Sequence, residues 1–117
     1  YFKRLSEIPG IYFQKVSESN ISTYKDFGII INEKEFGLNR DTLIEILKCK
    51  GIHTKKYFYP PLHIMPVYKD FRADELTNTE FVAENIICLP IYSHMQIDTV
   101  EKICYTIFRI WRDKKAR

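Results

Sequence analysis

Residues 55–68 read Lys-Lys-Tyr-Phe-Tyr-Pro-Pro-Leu-His-Ile-Met-Pro-Val-Tyr and gather the side chains best suited to chemistry. If the first part is a strand, side chains alternate, so Tyr57 and Tyr59 face one way and Lys56 and Phe58 the other. Pro60 and Pro61 then end backbone pairing and fix the direction in which the chain leaves. A rigid exit would hold His63 at a defined place. There its imidazole could donate to an anionic oxygen or transfer a proton. Spacing leaves a second reading open, an ordinary structural turn whose tyrosine hydroxyls and imidazole are satisfied by nearby backbone.

Other chemistries find less support. His53, His63, His94 and the cysteines show no metal-ligand spacing, so no metal is expected. Cys88 sits in an apolar stretch and Cys104 on an apolar helical stripe, and both read as core. Cys49 has no recognisable base partner. The four glycines, Gly10, Gly28, Gly37 and Gly51, are scattered and form no phosphate loop. Lys55 to Tyr59 mixes basic and aromatic residues as a single-stranded nucleic-acid platform would. The double proline and a net charge of only +3 argue against that use, and no nucleic acid is expected.

The elements that must position these residues follow from pattern. Residues 11–16 read as a short extended stretch after the Pro9-Gly10 turn. Residues 24–32 read as a strand with Phe27, Ile29 and Ile31 on one face. Asn39 is a suitable N-cap for a helix to about Lys50, with Leu43, Ile46 and Leu47 on one face and Gly51 as its stop. Residues 54–59 read as the next strand and 62–71 as short turns of helix and loop. Thr77 and Glu80 read as a capping box opening a helix to about Ile86. Ile87-Cys88-Leu89 reads as a buried strand stopped by Pro90. Asp98 and Glu101 resemble a second capping box. Its helix carries Val100, Ile103, Cys104, Ile107, Ile110 and Trp111 as an apolar stripe. Arg112, Lys114, Lys115 and Arg117 stand at its end, where the dipole favours positive charge.

The expected fold is therefore a single small α/β domain of α+β type: a small, mostly antiparallel or mixed sheet with helices packed on one face. The chain's 117 residues suit one domain, and 45% hydrophobic with 28% charged residues is ordinary globular composition. Three cysteines without a CxxC pair read as reduced thiols, and the expected location is cytoplasmic. No apolar run approaches the roughly 18 residues of a membrane span, and no signal-peptide pattern is visible. The chain begins at Tyr1, with Phe2 and Leu5 in what looks like the last turn of a helix. That start suggests a piece of a longer protein.

Taken in order, several stretches resemble the C-terminal domain of the DegT/DnrJ/StrS sugar aminotransferases. They are Pro9-Gly10-Ile11, residues 20–27, residues 47–52, residues 55–68, Thr79-Glu80, and Cys88-Leu89-Pro90-Ile91-Tyr92-Ser93-His94-Met95. Tyr57-Phe58-Tyr59-Pro60-Pro61-Leu62-His63, with Tyr68 five residues on, is the most specific part. The resemblance implies a fold type I pyridoxal-phosphate enzyme that moves an amine, commonly from glutamate, to a nucleotide-linked keto sugar. It implies homodimers with sites near the subunit interface. It also implies that residues 1–117 are a small C-terminal domain lacking the large domain that carries the Schiff-base lysine and the acid paired with the pyridine nitrogen. On that reading the chain alone binds no cofactor and is inactive. His63 is then the residue expected to approach cofactor or sugar, with Tyr57 and Tyr59 contacting sugar or phosphate. Lys55 and Lys56 stand where the family often has arginine, keeping charge without the bidentate fork. A stand-alone nucleic-acid or protein interaction module is the alternative.

Overall fold

The computed structural model describes residues 1–71 and 75–116. Three strands, β1 (Ile11–Phe13), β2 (Phe27–Ile31) and β3 (Ile86–Leu89), form an antiparallel sheet in the order β1-β2-β3. The helices are α1 (Phe2–Leu5), α2 (Glu33–Phe36), α3 (Arg40–Cys49), α4 (Thr77–Asn85) and α5 (Ile97–Lys115). Two short 3-10 turns, Leu62–Ile64 and Pro66–Phe71, lie between α3 and α4, as the sequence suggests for this stretch.

Strand register explains the core. Ile11 pairs with Ile31, Phe13 with Ile29, Ile29 with Ile87 and Phe27 with Leu89, so these seven side chains share one sheet face. Leu5 of α1, Phe36 of α2, Leu43 and Leu47 of α3, and Ile103, Cys104, Ile107 and Ile110 of α5 cover that face as one cluster. The expected α+β arrangement, with helices on one sheet face, is what forms. Cys88 and Cys104 are buried free thiols and Cys49 is exposed. Burial raises the pKa of both buried thiols, which keeps them protonated and inert.

α3 begins where Asn39 accepts a hydrogen bond from the Thr42 amide at 2.9 Å, and Gly51 follows its end at φ 76°. α2 is a helix that periodicity does not reveal. Asn32 caps it through the Lys34 amide, and left-handed Gly37 stops it after one turn. Gly10 is required by packing. Its φ is 82°, and a Cβ there would collide with the backbone and Cβ of Phe36.

Several expectations are corrected. β2 starts at Phe27, not at Tyr24, because Tyr24 has φ 45° and cannot continue a strand. β1 ends at Phe13, short of Val16. Residues 54–59 do not form a strand. Only Lys55 pairs, through two backbone bonds to Cys88 on the outer edge of β3. The chain then turns at Tyr57-Phe58.

Neither capping box forms. Leu76 precedes α4 and Gln96 precedes α5, and neither caps with its side chain. The glutamates are engaged elsewhere, Glu80 with His63 and Glu101 with Arg4. Arg112, Lys114 and Lys115 occupy the last turn of α5, while Arg117 lies outside the described residues. No helix among the described residues is long and apolar enough to cross a membrane.

Candidate functional site

The segment after the Lys55 bridge is held from both sides, and its tyrosines part company. With no strand, the alternation that would put Tyr57 beside Tyr59 does not apply. Tyr57 instead packs on Phe58, with ring centroids 5.3 Å apart. Tyr59 goes with Lys56, whose ammonium lies 5.6 Å from its ring centre. The basic and aromatic side chains are thus paired within the chain. Lys55 covers Tyr57 at 5.3 Å, and Arg40 covers Tyr59 at 4.9 Å. These faces are not the open stacking platform that a single-stranded nucleic acid needs.

Tyr57, Phe58, Leu62 and His63 form one wall of a cavity of about 600 Å³, and Leu76, Asn78, Thr79, Val82 and Ala83 of the α4 region form the other. Its size falls within the range of small-molecule sites, and its mostly apolar wall with a few polar groups is typical of them. Tyr59 does not line it. A groove of about 620 Å³ lies near Phe2, Phe13, Tyr24 and Phe27. It holds none of the histidines, so the first cavity is the better candidate for chemistry.

His63 reaches its place because the Leu62–Ile64 turn follows Pro61, with the Ile64 amide bonded to the Pro61 carbonyl at 3.2 Å. Its Nε2 lies 2.9 Å from Glu80 Oε1 on α4. The imidazole side chain is 10% exposed and the carboxylate 46%. The pair is therefore sheltered on the histidine side and wet on the glutamate side.

Behind this wall stands a second cluster that residue type alone does not reveal. Arg40 is 3% exposed and opens α3. A cation in the first helical turn opposes the macrodipole, and that misplacement is the signal in the sequence that Arg40 is needed elsewhere. Its Nη1 donates to the Ala83 carbonyl of α4, its Nε donates to Asp41 Oδ1 at 2.8 Å, and its plane covers Tyr59. Asp41 also takes Lys56 Nζ at 2.7 Å. Lys56 first and Arg40 second hold the Asp41 carboxyl below the usual aspartate range. The cluster ties α3, α4 and residues 56–59 together and so fixes the spacing between the cavity's walls.

The cavity does not fit pyridoxal phosphate as a resident cofactor. Holding it covalently requires a lysine, and the ring nitrogen requires an acid. Among the described residues the cavity wall contains neither residue type. Lys56 is committed to Asp41. The tyrosine beside Lys55 raises that ammonium's pKa, the wrong direction for an amine nucleophile. The arrangement suits substrate contact: an imidazole and two short polar side chains beside an apolar, water-excluding surface.

Comparison with known proteins places the chain in a family. The model of the DegT/DnrJ/EryC1/StrS aminotransferase family matches residues 1–108. The dTDP-4-amino-4,6-dideoxy-D-glucose transaminase of Escherichia coli is 35% identical over 106 residues, covering 88% of this chain and 28% of that protein. The transaminase of the same name from Shigella dysenteriae is 32% identical over 111 residues, covering 94% of this chain and 30% of that protein. The crystal structure of DesI in the presence of its TDP-sugar product superposes with a TM-score of 0.83 at 23% identity, over 97% of this chain and 29% of that one. The chain thus spans under a third of the length of these relatives. They are sugar-processing enzymes, and nothing among them favours a stand-alone nucleic-acid module. With a match running from Tyr1 to residue 108, the chain belongs to the DegT/DnrJ/EryC1/StrS aminotransferase family.

Proposed function

We propose that this chain is the C-terminal domain of a pyridoxal-phosphate-dependent nucleotide-sugar aminotransferase, and that its cavity forms the substrate-side wall of the active site. The observation that carries this reading is His63, fixed by a turn and a carboxylate at the edge of an apolar cavity of ligand size. An imidazole there can hydrogen-bond a sugar or phosphate oxygen. Asn78 and Thr79 can bind further hydroxyls, while Tyr57, Leu62, Leu76 and Val82 exclude water from the sugar face. Tyr59, clamped by Arg40 and Lys56, supports the wall from behind.

The names of the Escherichia coli and Shigella dysenteriae relatives point to a dTDP-linked 4-amino-4,6-dideoxy hexose as the sugar class. Cofactor attachment belongs, on this reading, to a large domain of the same enzyme. A second subunit completes a homodimer, and the enzyme works in the cytoplasm. Among the described residues neither cavity wall supplies a Schiff-base lysine, which supports the reading that residues 1–117 alone do not transfer amines.

The test is amino transfer between dTDP-4-amino-4,6-dideoxy-D-glucose and 2-oxoglutarate. The enzyme that carries this domain turns over, and residues 1–117 alone do not. Turnover by residues 1–117 alone, or an inactive full enzyme with bound cofactor, contradicts the reading.

A further inference from the structure

The two nitrogens of His63 are not equivalent. Nε2 is bound to the Glu80 carboxylate at 2.9 Å. Nδ1 has no hydrogen-bond partner among the described residues, yet it is not among the sealed, unpartnered buried atoms. The ring itself lines the cavity. Glu80 stands in the first turn of α4, but its side chain caps no helix amide. Its own amide already bonds the Leu76 carbonyl at 2.9 Å, and its side chain turns toward the 62–64 turn.

We propose that Glu80 is the positioning residue of this site: it holds the imidazole by Nε2 and presents Nδ1 as the nitrogen that meets the substrate. A carboxylate only accepts, so the neutral ring carries its proton on Nε2 and leaves Nδ1 as an acceptor. If the ring takes a second proton, Nδ1 becomes a donor to an anionic oxygen while Glu80 balances the charge. The ring plane is fixed in either state. This rests on the proposed substrate-side role of His63, but the tautomer can be read without substrate.

The direct test is long-range nitrogen–proton correlation on the imidazoles of this chain, at a pH where the rings are neutral. Only His53, His63 and His94 contribute, so assignment is tractable. His63 is expected as a single tautomer, protonated on Nε2, with that proton protected from exchange. Glu80→Ala should move its two ring nitrogens toward the averaged positions of a freely exchanging imidazole. Glu80→Gln should restore the Nε2-protonated form, because the amide oxygen still accepts.

Protonation of wild-type His63 on Nδ1 overturns the proposal, and this reading needs no variant to fold. Unchanged ring signals in a folded Glu80→Ala protein overturn it as well. In the enzyme that carries the domain, Glu80→Ala should lower kcat/KM by roughly 10- to 100-fold, the scale on which losing the carboxylate behind a metal-bound histidine lowers activity. If the tautomer responds to Glu80 but turnover does not, the positioning of the ring stands and the substrate role of His63 fails.

Discussion

His63 and Tyr57 were legible as candidates because their types and the double proline beside them stand out in the chain. Asp41 and Glu80 were not, and Arg40 was marked only by a cation at the start of α3, because their partners are set by contacts that spacing does not encode. Glu80 finds His63 seventeen positions away, and Arg40 finds Ala83 forty-three positions away. The Arg40–Asp41–Lys56 cluster predicts a pH signature. Lys56 and Arg40 depress the folded pKa of Asp41, so its contribution to stability is present above the unfolded value. It is lost as pH falls through the depressed value. The stability difference between the wild-type chain and Asp41→Asn should therefore be full at about pH 6 and shrink below about pH 4. Urea unfolding at a series of pH values measures it, and a difference that stays constant to about pH 2 would rule out the depressed carboxyl.

At the scale of elements, α3 and α5 could be read from sequence because each is long enough to show an apolar period. α2 could not, since one turn has no period; only the pair Asn32 and Gly37 marks its ends. The strand expected over residues 54–59 failed for a different reason. Alternation is a property of a paired backbone, and only Lys55 pairs. The two capping boxes failed because their glutamates bind more distant partners, His63 and Arg4. Gly10 gives the element-scale prediction. A side chain there must adopt a left-handed backbone and push into Phe36, so Gly10→Ala should destabilise the domain by about 2–4 kcal/mol. A lower urea midpoint at unchanged m-value measures this. A loss below about 0.5 kcal/mol would mean that α2 can move away freely.

At the scale of the molecule, the domain puts nearly all of its core on one sheet face and places its cavity between a rigid turn and α4. Fold class followed from composition and period, since a chain with three short strands and several amphipathic helices has few ways to bury its apolar faces. The site's meaning did not follow from those features. The reading proposed for it leans on the family, whose relatives are more than three times the length matched here. On the proposed reading such a wall binds and orients substrate, and its described residues supply neither a Schiff-base lysine nor an acid for the pyridine nitrogen.

On the proposed reading His63 serves substrate and not cofactor. The most direct test is His63→Ala in the enzyme that carries this domain, measured together with the cofactor's absorbance. Losing a hydrogen bond to a charged or polar substrate oxygen should lower kcat/KM by at least about tenfold. The cofactor content should stay unchanged. An unaltered kcat/KM, or a loss of activity that tracks loss of bound cofactor, would contradict the account.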